Sequence, residues 1–82
     1  MDTDKGKREF LAKVKELEVA DSITLANELE MTRGAARTRI SRYVHRGLLE
    51  AMGVNDNRYC LSVTGETTLE YLNNIAREKI NG

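Results

Sequence analysis

The chain has 82 residues, which allows one small domain with one modest core and leaves no room for a separate catalytic lobe. Residues are 40% hydrophobic and 32% charged, with no apolar run near the roughly 20 residues of a membrane-spanning helix, so a soluble cytoplasmic protein is expected. A single Cys60 and a single His45 exclude an internal disulfide and a His/Cys zinc set, and no cofactor is expected.

In chain order, residues 1–6 are polar, carry no secretory signal and are expected to be flexible. Lys7 to Glu18 forms the first helix, with Phe10, Leu11, Val14 and Leu17 on one stripe. Val19 to Ser22 breaks the pattern, and Asp21 or Ser22 caps a second helix that runs to about Glu30. Leu25, Ala26 and Leu29 face its core, with Ile23 tucked beneath. After a tight turn, Thr32 caps a third helix whose Ala36, Ile40, Tyr43 and Val44 form the buried side and which Gly47 terminates.

The period then changes. Apolar runs at Leu48 to Val54 and Arg58 to Val63 flank Asn55-Asp56-Asn57, which reads as a hairpin. Tyr59, Leu61 and Val63 alternate toward the core, and Cys60 is expected to pack as a small apolar group. Thr64 caps a last helix, 65–80, with Leu69, Leu72, Ile75, Ala76 and Ile80 at helical spacing. The fold class is therefore mainly α with a small β-hairpin (α+β), ordered helix-helix-helix-strand-strand-helix, in one domain over 1–82.

Zero net charge conceals a strong asymmetry. Glu16 to Glu30 holds five acids and no Lys or Arg, whereas Thr32 to Leu49 holds Arg33, Arg37, Arg39, Arg42 and Arg46 and no acid. One reading is a solvated face whose arginines pair with the acids of the second helix. Exposed pairs contribute only about 0 to 1 kcal/mol each, so stability gives little reason for five arginines there.

Three strings carry a resemblance: Leu25-Ala26-Asn27-Glu28-Leu29-Glu30-Met31-Thr32, Val44-His45-Arg46-Gly47-Leu48-Leu49-Glu50 and Tyr59-Cys60-Leu61-Ser62-Val63-Thr64-Gly65. In this order the chain resembles the winged helix-turn-helix superfamily of transcription regulators, in particular small prokaryotic and phage-type repressors and MarR-like proteins. The first string is similar to that superfamily's second helix and turn, the second to the exit of its recognition helix, and the third to its second wing strand. Glu30 stands where the superfamily often has glycine. The resemblance implies a recognition helix at 32–46, a wing at 48–63 and sequence-specific binding of double-stranded DNA by a repressor-type regulator.

Helical projection with Ile40 inward puts Ala35, Thr38, Arg42 and His45 on the outward face, flanked by Gly34, Arg39, Ser41 and Arg46. Small residues let a helix approach the major groove, and arginine can donate a bidentate pair to guanine. Thr38, Arg39 and Arg42 are the expected base contacts. Thr32 and the free amides at the helix start suit a phosphate, and Arg33, Arg37 and Arg46 suit backbone positioning. In the wing, Asn57 and Arg58 are the candidate contacts. A homodimer through the first and last helices is expected, with Tyr71, Ile75 and Ile80 as contacts. The competing reading is a protein-interaction module of the same fold that does not bind DNA. No catalytic triad, phosphate-cradling glycine loop or metal cluster is present, so no enzyme is expected.

Overall fold

The computed structural model describes the backbone of residues 4–54 and 56–81, and the side chains of these apart from residues 4, 5, 76 and 78–81. Four helices, α1 (Asp4–Leu17), α2 (Ser22–Glu28), α3 (Arg33–His45) and α4 (Val63–Asn81), surround a hairpin of β1 (Leu49–Ala51) and β2 (Tyr59–Leu61). The order and the α+β class are those expected from sequence. The first helix, however, starts at Asp4, inside the segment expected to be flexible.

One core joins these elements. Phe10, Leu11 and Val14 of α1, Leu25 and Ala26 of α2, Ala36, Ile40 and Tyr43 of α3, and Leu69 of α4 cluster with Ala20, Leu48 and Leu49. Complete burial of a Leu or Phe side chain contributes about 1.5–3 kcal/mol, so Phe10, Leu11 and Leu25, all at 0% exposure, anchor the assembly. The Phe10 ring meets Tyr43 edge-on, with centroids 5.3 Å apart. Two expected core members are absent: Ile23 is 51% and Val44 37% exposed. Ile23 lies in the first turn of α2, at its rim, and Val44 lies at the edge of the arc centred on Ile40, so neither reaches the centre.

Local chemistry fixes each helix end. Asp21 caps α2, its carboxylate accepting from the Thr24 amide at 2.7 Å. That α2 stops at Glu28 rather than Glu30 follows from its C-cap, Leu29, whose amide donates to Leu25 O. Glu30 takes a left-handed φ of 54° and lets the chain turn within three residues into α3. Thr32 caps α3 by accepting from the Ala35 amide at 3.1 Å. At the other end Gly47 has φ 78°; its amide donates to Val44 O, and the Leu48 amide to Tyr43 O. These two bonds are the Schellman pair, and glycine fits because that conformation crowds a Cβ.

The hairpin is shorter than its apolar runs, with three residues per strand paired Leu49–Leu61, Glu50–Cys60 and Ala51–Tyr59. Ala20, in the link between α1 and α2, exchanges two backbone hydrogen bonds with Tyr59, a single-residue bridge that ties that link to the free edge of β2. Val63 was expected to face the core as part of a strand. It is instead the first residue of α4 and 81% exposed. The cap of α4 is not Thr64 but Ser62, whose buried hydroxyl accepts from the Gly65 amide at 2.9 Å and donates to the Gly47 carbonyl. Gly65 packs against the same strand root: a Cβ there would sit 2.0 Å from Leu48 O.

Candidate nucleic-acid interface

The outward side of α3 is built by the phase of its buried side. With Ala36, Ile40 and Tyr43 inward, Arg37, Thr38, Ser41, Arg42, His45 and Arg46 line one open, shallow surface. All six are exposed, and Gly34 and Ala35 at the start of the helix are exposed as well. Nothing lies within 4 Å of a Cβ built on Gly34, so a bulky partner can approach the helix start.

A groove of about 720 Å³ adjoins this surface, where α3, the start of α2 and the hairpin meet. It brings Arg33, Arg37, Ser41 and His45 together with Asn57 of the hairpin, Ser22 of α2, and the apolar Ile23, Val44 and Tyr59. Among the described residues Asp21 is the one acid on its rim. That carboxylate is already engaged as a cap, and the Thr24 amide holds it below the ordinary carboxylate range.

The arginines are not alike. Among the described residues, no ion pair reaches Arg33, Arg37 or Arg46. The acid of α2 that does pair, Glu28, faces Lys13 of α1 at 3.9 Å, and Lys13 also holds Glu16 at 2.8 Å. Glu16, by accepting the ammonium's hydrogen bond, raises the Lys13 pKa above its ordinary value. Arg39 leaves the outward surface. Its side chain is half-buried, its guanidinium carbon sits 5.8 Å from the centroid of the Phe10 ring, and Nη1 donates to the Gly6 carbonyl at 3.2 Å.

In the hairpin loop, Arg58 closes on Asp56. Nη2 donates to Oδ2 at 2.9 Å, Nε to Oδ1 at 3.0 Å, and the Arg58 backbone amide to Oδ1 at 2.9 Å. Donation by the guanidinium and amide lowers the Asp56 pKa, and the same carboxylate raises that of Arg58. Arg58 is a candidate wing contact by sequence; the structure gives it a matched anion two residues away.

Of the expected dimer contacts, Tyr71 is 63% exposed, Ile75 is half-buried, and the Ile80 side chain lies outside the described residues. Val63 joins them unexpectedly, since 63, 67, 71 and 75 follow one another at four-residue steps along α4. Among the described residues no three His, Cys, Asp or Glu gather as a metal site, and no helix is long and apolar enough to cross a membrane. No family model, curated protein or solved structure matches the chain.

Proposed function

We propose that the chain is a winged helix-turn-helix domain that binds double-stranded DNA with α3 in the major groove, as a cytoplasmic, repressor-type transcription regulator. The observation that carries this reading is the exposed, acid-free outer side of α3, with small residues at its start and Arg37, Thr38, Arg42 and Arg46 along it. Thr38 and Arg42 read bases; Arg33, Arg37 and Arg46 hold phosphates; the amides beside Thr32 and the Asn57 side chain accompany them. A second copy completes the regulator, packing along Val63, Tyr71 and Ile75 of α4, and sedimentation as a monomer at tens of micromolar rejects that part.

Fluorescence anisotropy of a labelled mixed-sequence duplex against salt tests the reading. A log–log slope of about −3 or steeper for the wild type, with marked loss of affinity in Thr38→Ala, Arg42→Ala, is expected. A folded wild type that fails to bind at low salt favours the second reading, a protein-interaction module. The observation in favour of that module is the hairpin, where Met52 and Val54 are exposed and Arg58 is ion-paired with Asp56.

A further inference from the structure

We infer that Arg39 is a positioning residue, which sets how α3 lies against α1 and thereby how the outer side of α3 meets a duplex, without touching nucleic acid itself; the inference rests on the DNA-binding reading above. The backbones of α1 and α3 make little direct approach, and α3 packs mainly on α2 and β1. Side chains therefore bridge the gap. Two bridges are visible: Tyr43 edge-on to Phe10, and Arg39 over the same ring, its guanidinium carbon 5.8 Å from the centroid, with its Nη1 on the Gly6 carbonyl, 33 residues earlier in the chain. Phe10 is fully buried, so its ring is a fixed platform between the two.

Arginine suits this task better than lysine. Its guanidinium is planar and weakly hydrated, so it stacks on a ring while donating sideways to a carbonyl. Its aliphatic stem covers apolar surface at the edge of the core. The helical phase agrees: Arg39 is next to Ile40, at the flank of the buried arc, whereas Thr38 and Arg42 point away from it. To reach a base, the guanidinium would have to give up both the ring and the carbonyl.

The experiment follows the arginine Nε–Hε signals by NMR while a mixed-sequence duplex is added at low salt, alongside anisotropy titrations of Arg39→Gln and Arg39→Lys at a temperature where circular dichroism finds both folded. The Arg37 and Arg46 signals are expected to move and that of Arg39 to stay. Arg39→Gln is expected to bind about tenfold more weakly with an unchanged salt slope, and Arg39→Lys, which keeps a cation over the ring, to recover part of that loss. An Arg39 signal that moves with the others, or a slope reduced by about one in Arg39→Gln, makes it a direct contact and overturns the inference. Unchanged affinity in folded Arg39→Gln reduces the residue to a stabilising one and overturns it equally. Should Arg39→Gln not fold, the wild-type signals and Arg39→Lys decide alone. A wild type that binds no duplex, with every arginine signal still, overturns the DNA reading and this role together, and so is distinct from the failures confined to Arg39.

Discussion

The outer side of α3 and the loop of the hairpin both carry exposed arginines, yet they hold them in opposite states. On α3, Arg33, Arg37 and Arg46 have no carboxylate partner among the described residues; in the preceding acidic segment Glu16 and Glu28 meet Lys13, and Asp21 caps α2. In the loop, Arg58 is closed by Asp56 within the same turn. An arginine's availability is thus set by which acid the backbone brings within reach, and net charge says nothing about it. A chain with zero net charge can thus present a basic helix face when its acids lie on other elements.

The largest expected effect breaks the arrangement that keeps the two regions together. Gly65→Ala drives a Cβ into the Leu48 carbonyl at the hairpin root, and destabilisation of about 3 kcal/mol in urea unfolding is expected, at the upper end for overpacking. A tolerated alanine would mean the root is far looser than the 2.0 Å approach implies. Next, removing the unpaired charges should leave stability alone and change binding: Arg37→Ala with Arg46→Ala is expected to stay within about 0.5 kcal/mol of the wild type. The same variant should lose at least about tenfold in duplex affinity at low salt, with a slope shallower by about two.

Asp21→Ala probes the acid on the groove rim. Loss of the cap costs about 1 kcal/mol, read as a lower melting temperature. Because the folded pKa of Asp21 is depressed, its contribution is full above the ordinary carboxylate range and disappears as pH falls through the lowered value, so wild type and variant should converge in acid. The smallest effect sharpens the contrast directly. Asp56→Asn releases Arg58 from its anion, and affinity for duplex is expected to rise by a factor of about two to three, consistent with one more screened surface charge. The gain should vanish at high salt, and no rise at low salt would place the loop outside the duplex contact.

Much of this was legible in the sequence, for reasons specific to each element. Thr32 and Gly47 bracket α3 with a hydroxyl that caps and a residue that accepts positive φ, so local chemistry alone locates both ends. The phase of Ala36, Ile40 and Tyr43 then fixes which residues face outward. What failed were residues whose state depends on distant partners. Arg39 sits on a flank of the helix, where a long side chain can turn either way, and Gly6 and Phe10 decide the direction. Ser62 and Thr64 are equally plausible caps by composition; the choice falls to Ser62 because its hydroxyl also meets the Gly47 carbonyl, 15 residues away. Val63 looked like a third alternating strand residue only because the strand was carried two residues past its last pair, Leu49–Leu61. The Ala20–Tyr59 rung joins residues 39 apart through backbone groups that carry no sequence signal. Glu30 takes a left-handed φ that glycine would adopt more easily, and its side chain gives no local signal of that conformation.

The packing of α1 against α4 sets an order on how the molecule is made. Leu69, from the helix that closes over α1, is added roughly sixty residues after Phe10, Leu11 and Val14. At about 5–20 residues per second that side of α1 waits several seconds for its cover. For that interval the side of α1 that meets α4 lacks its native cover, and α4 is the step that withdraws it from chaperones and neighbouring chains.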